Sequence, residues 1–406
     1  MLKIFSEPPA PAHSHQGGPL LALGFRPFFL AASLSGVLLV ALWLLIWSGH
    51  LDPGAYYGSS IGWHSHEMLF GYTVAVIAGF LLTAVRNWTG INTPSGTRLG
   101  LLLLAWLAGR IAPALEGLLP GVLMALLDLL FLPALALAIR PMLWAGKQKS
   151  NRLFVYLLLG MALANLLIHL QALGLGAAAA QGTESAQGTE SMLYLVMALV
   201  LLLSGRVVPF FTKAVIPGFQ PRSYRLAEIA TPLLLGLLIA QTLLLPRPAL
   251  AATLALAVAV VQMIRVSGWL SPGVWRIPIL WVLHTGLLWI IAGFLLLALA
   301  GFTQSGLNPA RHALAVGGIG VLTLGMMARV ALGHTGRAIT AHPLINTAFV
   351  LLNIAALARV FPPLITDAHY AIWIHLSGGL WGLSLALFFI HYLPILSRPR
   401  IDGAPG

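Results

Sequence analysis

The chain has no cysteine, and only 8% of its 406 residues are charged. The first absence excludes disulfides, thiolate nucleophiles and Cys-ligated zinc, haem or iron–sulfur centres. Any metal must be held by the 13 histidines, the 10 carboxylates or methionine. The second absence excludes an ordinary soluble protein, which carries about 25% charged residues. With 59% apolar residues and a mean hydropathy of +0.92, the expected solvent is a lipid bilayer. The 22 Lys and Arg outnumber the acids, yet they stand singly at the ends of apolar runs. Without a clustered basic face to follow a phosphate backbone, nucleic acid is not an expected partner.

A hydrocarbon core about 30 Å thick needs roughly 20 apolar residues per helix. Twelve such runs occur, at about 28–48, 64–84, 97–114, 121–143, 153–173, 191–208, 226–245, 249–268, 276–300, 311–331, 340–360 and 370–393. The expected fold is therefore all-α, a polytopic bundle of 12 transmembrane helices. Between the seventh and eighth runs the only punctuation is Pro246-Arg247-Pro248. With both termini cytoplasmic, 18 of the 22 basic residues fall on the inner side and four on the outer, as the positive-inside rule requires for an even number of spans. Residues 1–25 are polar, contain His and Pro, and lack the apolar core of a signal peptide. They read as a flexible cytoplasmic tail, 26–396 as the membrane domain and 397–406 as a second cytoplasmic tail. The near-duplicate Gln181–Ser185 and Gln187–Ser191 reads as a solvated linker.

The second, sixth and tenth runs end alike, at Arg86, Arg206 and Arg329, which are 120 and 123 residues apart. Three four-helix repeats would give such a period, although positive-inside bias also places arginines at these ends.

Ionisable groups within a bilayer are costly and are functional candidates by default. In this topology His50, His64, His66, His169, His312, His369 and His375 lie toward the outer face, with Glu67 and Asp128. His334, His342 and His391 lie toward the inner face, with Arg86, Arg206, Arg329 and Arg337; His284 is inside the ninth run. His64 and His66 open the second run, and on a continuous helix they diverge by about 200°. They would share one metal only if the helix began near His66. Glu67, in the first turn, suits the positive helix end and can orient an imidazole. His375 is followed by Gly378, Gly379 and Gly382, and His312 by Gly317, Gly318 and Gly320. Such strips accommodate a porphyrin face, or equally the close approach of another helix. Without cysteine, haem b held by two imidazoles, or by one with an open site, is the most economical use of this set. His64 or His66 would face His312, with His375 on the same or a second metal, and copper is the other candidate ion. His284 reads either as a ligand or as a polar packing residue. The inner donors Arg206, Arg329 and His334 read either as helix caps and anchors or as a site for an anion such as a haem propionate.

Several motifs resemble the NnrS family in order along the chain. They are GFRPFF (Gly24–Phe29), WHSHEMLFGY (Trp63–Tyr72), AGFLLTAVRNWTG (Ala78–Gly90), GRVVPFFT (Gly205–Thr212) and MMARVALGHTGR (Met326–Arg337). The resemblance runs from about residue 24 to the twelfth run. It implies a bacterial membrane protein containing haem and copper, associated with denitrification and nitric oxide tolerance. A more distant likeness, to the catalytic subunit of haem–copper oxidases, implies low-spin haem ligands at His64 or His66 and at His312. The sixth run has no His and the seventh no His pair, so a copper–haem centre of oxidase type has no equivalent ligands here. The expected function is haem binding at an outer-side site, with nitric oxide bound or turned over, or electrons transferred. The alternatives are a twelve-helix secondary transporter, disfavoured by the scarcity of intramembrane acids, and a haem or copper assembly factor.

Overall fold

Backbone polar groups in hydrocarbon must be satisfied within their own segment, and this chain does so as helix. The computed structural model describes residues 18–175, 184–366 and 368–404. Among the described residues there is no strand, and twelve helices are long and apolar enough to cross a membrane. They are α1 (Phe25–Trp47), α2 (Ser60–Thr89), α3 (Gly96–Leu115), α4 (Gly121–Ala145), α5 (Lys149–Ala172), α6 (Gln187–Val215), α7 (Arg225–Leu244), α8 (Pro248–Ser267), α9 (Pro278–Thr303), α10 (Leu307–His334), α11 (Pro343–Ile365) and α12 (Tyr370–Leu396). The break between α7 and α8 falls at Pro246-Arg247-Pro248, where two prolines prevent helix continuation.

Residues 1–17 of the expected tail and 181–183 of the duplicated pentapeptide lie outside the described residues. The second copy of the pentapeptide is not a linker: Gln187–Ser191 forms the first turns of α6. Glu190 there makes an ion pair with Arg311 of α10, and Ser191 is buried. A polar sequence is thus recruited into a helix because a cation on another helix meets it.

The start of α1 and the end of α12 share one end of the bundle, since Arg26 Nη1 donates to the carbonyls of Leu396 (2.9 Å) and Arg398 (2.7 Å). At the opposite end Ser48 meets His375, and Asn308 meets Tyr370. In α2 and α10, 89% of the apolar window is buried, against 33% in α3, α7 and α12. The helices α2, α6 and α10 touch one another, so helices four apart in the chain meet at the centre.

The two most buried helices each contain a π segment, Glu67–Thr73 in α2 and Ala313–Val321 in α10. Each directly follows a histidine, His66 or His312. The π geometry is rare and tends to occur at functional sites. The glycines after His312 serve helix approach. A side chain at Gly317 or Gly318 would strike Trp289 or Ile290 of α9, and one at Gly320 would strike Trp381 of α12. On α12, Gly378 faces Leu44, whereas Gly379 and Gly382 face open space.

A chain without cysteine allows the bundle to be mapped by single introduced thiols. Gly18→Cys, Gly90→Cys and Gly403→Cys should react with an impermeant maleimide from one side of the membrane, and Gly58→Cys and Gly306→Cys from the other. Labelling of Gly58→Cys together with the termini would contradict the twelve-helix arrangement.

Candidate cofactor site and a buried polar cluster

Toward the end opposite the termini, α1, α2, α6, α10, α11 and α12 surround a cavity of about 340 Å³, within the roughly 300–1,000 Å³ common for small-molecule sites. His64 of α2 and His312 of α10 both line it. Ser59 caps α2 by accepting a hydrogen bond from the Gly62 amide at 3.0 Å, so the helix begins a full turn before His64. His64 and His66 therefore stand on one continuous helix and point apart.

The His64 ring stacks on Trp43 (centroids 4.2 Å apart, planes at 20°), and its Nδ1 is buried without a hydrogen-bond partner. His312 Nδ1 lies 2.8 Å from the Asn308 carbonyl. A carbonyl only accepts, so the proton is on Nδ1 and the Nε2 lone pair is free to bind a metal. Trp43, Trp47, Met68, Leu69 and Trp381 form much of the apolar wall. The polar part of the lining contains the Arg311–Glu190 ion pair and Arg359. Arg359 donates to the Tyr370 hydroxyl at 3.2 Å, while its Nη1 is buried without a partner. His375 is exposed and does not line the cavity, although Ile374 and Gly378 do. Its Nδ1 contacts the Ala371 carbonyl (2.7 Å) and its Nε2 the Ser48 hydroxyl (2.9 Å).

His66 faces the other way, into a polar cluster built by α2, α3, α4 and α5. Its Nδ1 is 3.2 Å from Glu67 Oε1, and its Nε2 is 3.1 Å from Asp128 Oδ2 and 3.0 Å from Asn165 Oδ1. His169 Nε2 lies 2.9 Å from the same Asp128 Oδ2. Arg110 donates to Glu67 Oε1 at 2.6 Å and also to Asp128 Oδ1. Gly109 makes this possible, because any side chain there would collide with Asp128. The loop before α2 closes the cluster: Tyr57 stacks on His66 with centroids 4.3 Å apart, and the Tyr56 hydroxyl is 2.9 Å from His169 Nδ1. Burial, with Asp128 nearby, pushes both phenols above their ordinary pKa, so they are hydroxyls at neutral pH. Arg110, Asp128, Asn165 and His169 lack a local sequence motif. The signal they carry is that three of them are lone ionisable groups within apolar runs.

The remaining candidates lie elsewhere. Arg206 donates to Asn151 Oδ1 at 2.5 Å beside the rings of Trp88 and Phe154. Arg329 sits over Phe211, 3.5 Å from the ring centre, with Nε and Nη1 buried and unpartnered. His334 is 3.4 Å from the Asn87 amide and packs near Phe25. All three stand at the termini end, and at a helical rise of about 1.5 Å per residue Arg329 and His334 lie roughly 25 Å and 33 Å along α10 from His312. His284 is fully buried, with Nδ1 2.9 Å from the Leu280 carbonyl and Nε2 3.4 Å from that of Trp269. The structure thus brings His64 and His312 together, sets His66 and Glu67 in a second cluster, and leaves His284 and His375 apart from both.

A family model described as NnrS protein matches residues 19–400. No curated protein matches the chain.

Removing one partner of a buried ion pair leaves the other charge uncompensated, at a cost of about 3–5 kcal/mol. Arg110→Ala should therefore lower the stability of the detergent-solubilised protein by that order, whereas the exposed Arg247→Ala should change it by less than about 0.5 kcal/mol. Equal unfolding midpoints for the two variants would refute the role given to Arg110.

Proposed function

The chain belongs to the NnrS family, and on that premise we propose that it is a haem b-binding protein of the bacterial cytoplasmic membrane, acting in the nitric oxide response. The observation that carries the proposal is the single cavity shared by His64 and His312. The location and the cytoplasmic placement of both termini rest on the asymmetry of basic residues.

The lining fits a haem in three respects. An imidazole nitrogen of His64 is buried without a partner, and a buried polar atom in that state calls for a ligand or a cost of about 1–3 kcal/mol. His312 has its proton directed to a backbone carbonyl, the arrangement that orients metal-binding imidazoles. Arg359 offers an unpartnered guanidinium nitrogen to an anionic edge such as a propionate.

Bound haem would supply an iron that exchanges an electron and coordinates a diatomic gas. The residues of this chain do the rest. Trp43 fixes the His64 ring by stacking, Asn308 fixes His312, and Trp47, Met68 and Trp381 give the cavity an apolar wall. His64 and His312 would hold the group, and the electron exchange or nitric oxide binding it would supply would take place within the cavity that these residues line. Arg206, Arg329 and His334 lie too far away to serve this haem, and in the proposal they cap and anchor the termini end. Among the described residues that line the cavity, His64 and His312 are the only imidazoles. Copper there would compete with haem for them rather than add to it.

In haem-replete cells, His64→Ala and His312→Ala should each cut the Soret absorbance per chain to a small fraction of wild type. His375→Ala should reduce it less, and His391→Ala should leave it unchanged. Wild-type protein without Soret absorption, or four variants that behave alike, would overturn the assignment.

A further inference from the structure

We propose that His66, His169 and Asp128 form a second site, which binds one divalent transition-metal ion of the borderline class, such as Zn²⁺ or Cu²⁺. The three side chains present one ligand atom each, all within 4.8 Å of one another and all buried.

The hydrogen bonds around the cluster show where a metal would sit. Both Nε2 atoms face Asp128 Oδ2, at 3.1 Å and 2.9 Å. Asn165 stands beside them, with Oδ1 3.0 Å from His66 Nε2 and Nδ2 donating to Asp128 Oδ2 at 2.8 Å. A carboxylate only accepts, so without a metal the ring protons on Nε2 satisfy Asp128. A metal ion would take the place of those protons. The remaining proton of each ring would then lie on Nδ1, directed to Glu67 in His66 and to the Tyr56 hydroxyl, which itself donates to the Gly121 carbonyl at 3.3 Å, in His169.

The spacings suit such an ion. Bonds of about 2.0–2.2 Å to imidazole nitrogen and carboxylate oxygen place neighbouring ligands about 3 Å apart in a compact coordination sphere. The donor set selects the metal class: two imidazoles and a carboxylate suit zinc or copper, whereas calcium and magnesium prefer oxygen alone. The outer contacts are those of a metal site as well. Each imidazole is tied through Nδ1 to an oxygen, Glu67 or Tyr56, which orients the ring toward the ion. Arg110 offsets one of the two carboxylate charges, so a divalent ion would change the net charge of the buried group from one negative to one positive. The loop before α2 covers the cluster with Tyr56 and Tyr57, and Asp52 and Glu116 accept hydrogen bonds from its backbone amides. The site shares no ligand with the haem cavity.

The test uses purified full-length protein, stripped with chelator and incubated with Zn²⁺, or separately with Cu²⁺, before desalting. The expected result is one Zn²⁺ per chain in wild type and in His64→Ala and His391→Ala, with loss of at least tenfold in His169→Ala and Asp128→Asn. The Cu²⁺-loaded wild type should show hyperfine coupling to two imidazole nitrogens by electron paramagnetic resonance, a readout that needs no variant. The Soret band of His169→Ala should match wild type, so failure here and failure of the haem assignment are distinguishable. Wild type that retains no metal, or metal that persists in both cluster variants, or copper without two-nitrogen coupling, would overturn the proposal and leave ring N–H protons in the place given to the metal.

Discussion

The constraint on which this structure rests is the cost of an unpaired charge in a medium without water. A chain with 10 acids and 22 bases in 406 residues can afford few ionisable groups inside the bundle, and those it has are gathered rather than scattered. Arg110 is the clearest case. Its guanidinium bridges Glu67 and Asp128 from helices on either side of it, and Gly109 lets the backbones come near enough for the bridge to form. The same constraint holds Arg265 against Glu228, where Gly205 makes room for the guanidinium. Helix packing and charge pairing are in this way a single requirement.

From that requirement follows a division between two families of imidazole. Two residues apart on α2, His64 and His66 face different neighbourhoods, and the helix period alone separates them. His66 enters a network in which its ring nitrogens all have polar neighbours. His64 enters an apolar cavity in which one nitrogen has none. In the two proposals, the first environment would hold a small cation and the second would hold haem. The π segments that follow His66 and His312 place the widest turns of the two central helices beside these sites.

Much of the fold was legible because its determinants are local. Apolar runs of bilayer length and arginines at alternate ends identify twelve helices without any tertiary information, and the divergence of His64 from His66 follows from helical geometry. Other features depend on contacts between residues distant in the chain. The pairing of Glu190 with Arg311 turns an apparent linker into the start of α6, a contact across 121 positions. The meeting of His66 with Asp128 and His169 depends on how four helices pack. No spacing rule relates those residues, and Asp128 stands out only as an acid within an apolar run. The glycines after His312 are visible in the sequence, but whether they back a cofactor or a neighbouring helix is decided by Trp289 and Trp381, which fill the space.

The central claim is that imidazoles from α2 and α10 hold iron porphyrin between them. Near-infrared magnetic circular dichroism of the oxidised, purified protein tests it most directly, because the charge-transfer band reports the axial ligands of ferric haem. The account predicts one haem per chain with the signature of two imidazole ligands. Haem-free protein, or a ferric haem whose spectrum shows no imidazole ligation, would contradict it.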